Sequence, residues 1–369
     1  MPDQASPIVN KTSIVLVTPL LDHGGGQRFI TELANYYAKK HEVIIVLLRS
    51  GESFYPLHPK IKVIALGYAH EAGQSKIQVA VSGVKTLFKL RKVIRSIKPK
   101  FVLSILSSTN ILTLIATRFL KTKVYVNDIM SPYRKRSKGE KYARKLLYKK
   151  ADGVIALTKI AKTMIQEETK CSNITVIPNP VKDIVLDKNI GKEKIIINVG
   201  RLDSAKGQHF LVEAFNQLNH TDYKLVILGE GPKRSPLEKL IKELHLEERV
   251  LLPGAVVDID TWLAKAEIFA FPSVTESWGM ALTEAMAAGL PSVSFDCEVG
   301  PREMIEDGKN GYLIPVGDVD GLTEKLRQLI EQPALRTALG KQAKIDAEQY
   351  KIEIIGERFF NFCTANEFC

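Results

Sequence analysis

Short, mostly apolar runs alternate with amphipathic stretches along nearly the whole chain. In the first half the runs fall at 13–20, 42–48, 60–66, 101–106, 124–126 and 153–158, and in the second at 194–199, 223–228, 249–254 and 292–297. Such runs read as strands buried on both faces of a parallel sheet rather than as one-sided strands. Helical patterning fills several of the gaps: 29–39, 85–98 and, last, 349–362. Strand, loop and helix in this order predict an α/β protein of doubly wound sheets, which bind ligands at the carboxyl ends of their strands.

The most apolar window, 101–120, has the length of a membrane span. It carries Ser107, Ser108, Thr109 and Asn110 in its middle and Arg118 near its end, so it reads as a buried strand followed by a helix. The first residues, Met-Pro-Asp-Gln-Ala-Ser-Pro, lack the basic start and apolar core of a signal peptide. A chain of 369 residues exceeds what one core serves, and two domains are expected. The boundaries read as 1–185, 186–345 and a C-terminal crossover helix, 346–369, packing back on the first domain. The polar stretch 183–194, after the stiff Val-Ile-Pro-Asn-Pro-Val at 176–181, reads as a flexible linker.

Charge changes the picture. The net charge is +11, but residues 1–185 hold 31 Lys+Arg against 12 Asp+Glu, whereas 186–369 hold 21 against 29. Within 85–150 there are 19 cations and only two acids, Asp128 and Glu140. That asymmetry points to an anionic partner for the first half. Helix 85–98, which mixes Val84, Leu87, Phe88, Leu90 and Ile94 with cations, joins 133–138 and 141–150 in a basic amphipathic region. At roughly 1 kcal/mol per basic residue near an anionic membrane, a handful would hold the protein there. Nucleic acid is the other usual anion, but the region shows no RNA-recognition motif and few interleaved aromatics. Cys171, Cys297, Cys363 and Cys369 form no CxxC or His/Cys ligand spacing and read as reduced thiols of a cytosolic protein.

Candidate chemistry concentrates at 271–291, Phe-Pro-Ser-Val-Thr-Glu-Ser-Trp-Gly-Met-Ala-Leu-Thr-Glu-Ala-Met-Ala-Ala-Gly-Leu-Pro. Glu276 falls in a turn and Glu284 in a helical run. Were the run helical from Glu276 onward, the acids would stand roughly 12 Å apart at about 1.5 Å per residue. That exceeds the roughly 5–9.5 Å of an acid/base pair on one glycosidic bond and suits two contacts on one long ligand. The N–H groups of Gly279, Met280 and Ala281 at the helix start would face an anion such as a diphosphate.

Glu-x7-Glu, preceded by Phe-Pro-Ser and followed by Ala-Met-Ala-Ala-Gly-Leu-Pro-Ser-Val, resembles the signature of the retaining nucleotide-sugar glycosyltransferases of family 4. The resemblance implies the GT-B fold, two Rossmann-like domains facing across a cleft. It implies a UDP-sugar as donor, with no metal required and no other cofactor, Glu284 on the ribose hydroxyls and Glu276 on the sugar. Arg201 and Lys206, in Gly-Arg-Leu-Asp-Ser-Ala-Lys-Gly at 200–207, would bind the diphosphate and stabilise charge on the leaving nucleotide. The loop 253–256 (Pro253, Val256) would lie beside the base, and Gly229 would border the same site. The glycine turn 22–26, with Gly25 and Gly26 before a helix, would face the diphosphate; by itself it is also compatible with a bare tight turn. Many family members carry a histidine in the loop after 124–126. Here the position holds Asp128, which reads equally as a substitute polar contact or as a plain loop acid.

Gly300-Pro301, where the family more often has Gly-Gly, is similar to the branch that builds bacterial lipopolysaccharide, capsule or lipid-linked oligosaccharides. The implied acceptor is a membrane-anchored glycan, and the implied location is the cytoplasmic face of the inner membrane. Two Asp-x-Asp triplets, 258–260 and 318–320, imitate a metal-diphosphate motif; Arg201 and Lys206 already supply the countercharge, and the seven histidines show no metal spacing. Two other classes fit parts of the pattern. A nucleotide-sugar epimerase of the same architecture would keep the cleft without needing a basic acceptor face, and a nucleic-acid-binding protein would explain the charge alone.

Overall fold

A computed structural model describes residues 13–22, 24–68, 76–187, 189–219 and 221–365, with the side chains of 76–80 outside that description. The N-terminal segment 1–7, His23 of the glycine turn and Cys369 lie outside the described residues. The chain divides into two compact units, one running to Pro180 and resuming at Ile352, the other Val181–Lys351.

In the first unit the elements are β1 (Ser13–Thr18), α1 (Gly25–Ala38), β2 (Glu42–Leu47), β3 (Lys62–Ala65), α2 (Lys76–Ile97), β4 (Phe101–Ile105) and α3 (Ser107–Ala116). They continue with β5 (Lys123–Asp128), α4 (Lys138–Leu147), β6 (Gly153–Ala156), α5 (Lys159–Thr169) and β7 (Ile174–Val176). All seven strands are parallel, in the order β3-β2-β1-β4-β5-β6-β7. Chain direction across the sheet therefore reverses between β2 and β4, beside β1. Val15, Val17, Ile44, Val46, Val102, Val124, Val126 and Val154 make a core on one face with Leu90 and Ile94 of α2 and Ile165 of α5. Caps set where helices begin: the Ser137 hydroxyl accepts from the Glu140 N–H at α4, and Thr158 from the Ala161 N–H at α5.

The expected helix 85–98 starts earlier, at Lys76, and runs to Ile97. Its apolar positions also split. Leu90 and Ile94 are buried, whereas Val84 (55% exposed) and Phe88 (64%) face outward.

The second unit contains β8 (Ile195–Val199), α6 (Gln208–Gln217), β9 (Lys224–Leu228), α7 (Arg234–Glu243), β10 (Val250–Gly254), α8 (Ile259–Lys265) and β11 (Ile268–Phe271). It ends with α9 (Met280–Ala287), β12 (Ser292–Phe295), β13 (Gly311–Ile314), α10 (Val319–Glu331) and α11 (Pro333–Ala347). Six parallel strands run in the order β10-β9-β8-β11-β12-β13, so the reversal here lies beside β8.

The stretch 183–194 is not a free linker. The Val185 N–H donates to the Asp260 carboxylate at 3.3 Å, the Glu193 N–H bonds to the Lys265 carbonyl at 2.8 Å, and the Lys192 ammonium donates to the Ala266 carbonyl at 2.6 Å, tying the stretch to α8 and the residue after it. The Asp-x-Asp triplets have structural work as well: Asp258 and Asp318 accept from the N–H groups of Thr261 and Gly321 as caps of α8 and α10.

The chain returns to the first unit as α12 (Ile352–Thr364), which packs on α1. Phe359 meets Phe29 with ring centres 5.3 Å apart, His41 stacks on Phe360 at 4.8 Å, and the hydroxyls of Tyr36 and Tyr37 donate to the Glu357 carboxylate and the Gly356 carbonyl.

Candidate functional site

In the second unit the candidate residues leave the carboxyl ends of β8 and β11, neighbours at the point where the sheet reverses. Arg201 follows β8 on the loop 200–207, and Glu276 lies on the loop 272–279 after β11. Backbone holds these loops together: the Val274 N–H donates to the Ala205 carbonyl at 2.8 Å. Gly207 adopts a left-handed φ of +63° against Pro272, whose carbonyl oxygen would stand 2.1 Å from any Cβ placed there. Only glycine meets both demands.

The consequence is contact between two predicted residues. The Lys206 ammonium pairs with Glu276 Oε1, and both side chains are largely buried. Lys206 also lies over the Phe271 ring, 5.9 Å from its centre. Arg201 is 70% exposed and pairs with Asp203, whose other oxygen accepts from the Ala205 N–H. One cation is thus lodged against the carboxylate and the other stands open to solvent.

Glu276 precedes the helix instead of beginning it. Helix α9 starts at Met280 after Gly279, whose φ is +113°, and has no side-chain cap. Its first turn, with Met280 and Ala281, therefore presents uncapped N–H groups, and Glu284, one turn in, is 3% exposed. Gly229 follows β9, with its N–H on the Gly254 carbonyl at 2.8 Å. Pro253 is not in a loop: it lies within β10, an edge strand with a register shift between Leu251 and Gly254, where a missing N–H is tolerated. Val256 does lie in the loop beyond.

By its sequence Cys297 reads as a reduced thiol with no part in the site. It lies within electrostatic reach of the pair: burial, and then the Glu276 carboxylate, push the thiol up to about 12, against the pull of Lys206. It stays a neutral thiol beside the charged pair at physiological pH.

Residues 23–183 match the profile of Glycosyltransferase Family 4, and residues 183–346 that of Glycosyl transferases group 1. A Campylobacter jejuni protein, N-acetylgalactosamine-N,N'-diacetylbacillosaminyl-diphospho-undecaprenol 4-alpha-N-acetylgalactosaminyltransferase, is 31% identical over 90% of this chain and 94% of its own. The chain is a family 4 glycosyltransferase.

A second C. jejuni relative of this glycosyltransferase, an alpha-1,4-N-acetyl-D-galactosaminyltransferase acting on a GalNAc-containing diNAcBac-PP-undecaprenol, is 28% identical over 95% of this chain and 97% of its own. The crystal structure of Anabaena Alr3699/HepE in complex with UDP superposes with a TM-score of 0.81, covering 96% of this chain and all of that one at 18% identity. The shared fold is the GT-B architecture of two parallel-sheet Rossmann-like units.

In the first unit of the glycosyltransferase, Gly25 and Gly26 form the first turn of α1 rather than a loop before it, and no side chain caps this helix. Gly26 sits where a Cβ would be 2.5 Å from Ile129 Cδ1, so the backbone packs directly on the segment after β5.

Asp128 is not a loop residue. It ends β5, is 1% exposed, and pairs with the 0%-exposed Arg144 of α4. Arg144 donates to Glu168 at 3.1 Å from Nη2 and at 3.2–3.3 Å from Nε, and to the Tyr148 hydroxyl at 2.9 Å. Burial opposes its charge, but Asp128, Tyr148 and Glu168 hold the guanidinium above its ordinary value. The Tyr148 hydroxyl is driven up by burial and then by Asp128, so it stays protonated.

Successive residues of a strand face opposite ways, and the residue turned toward α1's face is Asn127. It pairs in register with Ile105, which with Ile129 lies under Gly26. Its carboxamide is fully buried, and neither end has a hydrogen-bond partner among the described residues. Sequence reasoning fixed on the acid and passed over its neighbour; strand parity is the signal that distinguishes them.

Proposed function

We propose that the protein moves a hexosyl or N-acetylhexosaminyl group from a UDP-sugar to a membrane-lipid-linked glycan, with retention at the anomeric carbon and without a metal. The observation that carries this reading is the Lys206–Glu276 pair beside the uncapped start of α9. The donor diphosphate, entering with negative charge, takes the Lys206 ammonium and the α9 N–H groups, with Arg201 swinging in from solvent. Glu276, released from Lys206, accepts from hydroxyls of the sugar, and Glu284 accepts from the ribose. As the bond between the anomeric carbon and the diphosphate oxygen breaks, the two cations stabilise the charge left on UDP. Gly25 and Gly26 at the start of α1 and the Asn127 amide are the polar contacts of the first unit. The loop 253–256 and Gly229 border the base.

The lipid-linked acceptor is supported by what the two Campylobacter relatives are named for. A peripheral place on the cytoplasmic face of the inner membrane is supported by α2, where exposed Val84 and Phe88 stand among Lys85, Lys89, Arg91, Lys92 and Arg95. No described helix is long and apolar enough to cross a membrane.

The test is release of nucleotide from a panel of UDP-, GDP- and ADP-sugars, with and without a polyprenyl-diphosphate glycan, comparing the wild type with Glu284→Ala. Acceptor-dependent release of UDP, lost in the variant, is the expected outcome. Interconversion of the sugar nucleotide with no acceptor consumed would make the protein an epimerase instead.

A further inference from the structure

The loop between β5 and α4 borders, with α4 and α5, an open cavity of about 520 Å³ in the first unit, lined by Arg134, Lys135, Arg136, Lys141, Arg144 and Glu168 among others. Its cations differ in what they are already doing. Arg144 is committed to Asp128 and Glu168, and Arg134 to Glu140. The Arg136 side chain is only 6% exposed, yet its Nη atoms donate to carbonyls, of Pro132 at 2.9 Å and Ser131 at 3.4 Å. Its buried Nε has no hydrogen-bond partner, and the nearest carboxylate oxygen, on the Glu140 already paired with Arg134, is 3.9 Å away. Lys135 and Lys141 form no ion pair with any described acid.

Five cations therefore face three carboxylates, those of Asp128, Glu140 and Glu168, leaving two positive charges uncompensated around one cavity. An anion with several oxygens compensates both charges through charge-assisted hydrogen bonds. We propose that this cavity takes a diphosphate group carrying two negative charges. Resting on the function proposed above, that group is the diphosphate joining the polyprenol to the acceptor glycan. Lys135 and Lys141, both of which line the cavity, supply that charge. The cavity size falls in the range of roughly 300–1,000 Å³ usual for small-ligand sites.

The experiment titrates the full chain with inorganic pyrophosphate at low ionic strength, following amide shifts by NMR. It is done on an Arg201→Ala/Lys206→Ala background so that the second unit's cations do not contribute. Saturable binding, weakened about tenfold by each of Lys135→Ala and Lys141→Ala, is expected. Both lysines are surface residues, so the variants keep the fold. In the enzyme with its second-unit cations intact, the lysine variants raise KM for the polyprenyl-diphosphate acceptor and leave KM for the same glycan without diphosphate unchanged. Pyrophosphate binding indifferent to both lysines, or equal loss with the two acceptors, overturns the proposal. So does binding to anionic vesicles lacking polyprenyl diphosphate with the same dependence on Lys135 and Lys141, because the cavity would then read membrane charge. The titration needs no turnover, so a failed transfer reaction and a failed cavity are told apart.

Discussion

Lys206 and Glu276, 70 residues apart in sequence, meet as an ion pair because glycine at 207 lets one loop lie against the other. The pair keeps a buried carboxylate and a buried ammonium compensated before any ligand arrives. A donor must exchange it for contacts of its own, so the two residues act as a unit. Glu276→Gln and Lys206→Met should each lower kcat/KM about 10²–10³-fold, the usual cost of removing one charge-stabilising group. The double variant should lose little more than the worse single one, and a double-mutant cycle on initial rates measures that. Fully additive losses would mean that the contact has no part in the chemistry.

Gly207→Ala tests the support beneath the pair. The added methyl, 2.1 Å from the Pro272 carbonyl in the present structure, forces the two loops apart. Donor affinity should drop at least about tenfold, with stability reduced by about 1–3 kcal/mol for the strained φ. Isothermal titration with UDP and chemical denaturation separate these effects.

Asp128 should matter to the fold more than to the transfer step. Asp128→Ala leaves Arg144 charged and buried, with Glu168 alone to compensate it, and should cost about 3–5 kcal/mol in denaturant unfolding. Replacing both members, Asp128→Leu with Arg144→Met, should recover most of that. By contrast, Asn127→Ala should leave stability nearly unchanged, because its amide forms no hydrogen bond to lose, while lowering the transfer rate.

Acid should loosen the helix that closes the first unit. Burial, and then Lys100 and Lys40, depress His41 below its ordinary 6.5 against the opposing pull of Glu357, and the Tyr36 hydroxyl depresses Glu357 below 4.5. In both cases the unfolded chain binds protons more readily than the folded one, so stability rises with pH through each window. It should be complete above about pH 6.5, decline as pH falls below it, and decline again below about 4.5. Unfolding midpoints against pH check this, and His41→Gln should erase the upper step.

How far the sequence alone reached depends on whether the cause was local. Buried parallel strands are continuous apolar runs, and 13–20, 101–106 and 223–228 show them directly. Glu276 and Glu284 were visible because the residues around them form one unbroken stretch. Asp128 was misplaced because its partner is 16 residues away on α4, and nothing local marks which face a strand-end residue takes. The stretch 183–194 is polar, which suggested freedom, but its bonds go to α8 and to Ala266 just after it, beyond the reach of composition. Gly25 and Gly26 read as a turn from propensity, but both lie in α1, and Gly26 packs against Ile129, a contact no local signal marks.

The most direct measurement is acceptor-dependent release of UDP from a UDP-sugar panel by the wild type, Glu276→Gln and Glu284→Ala. The wild type should release UDP from one UDP-sugar, dependent on a lipid-linked glycan, with both variants reduced by about 10²-fold or more. Release that persists unchanged in both variants, or that follows a GDP- or ADP-sugar, would contradict the assignment.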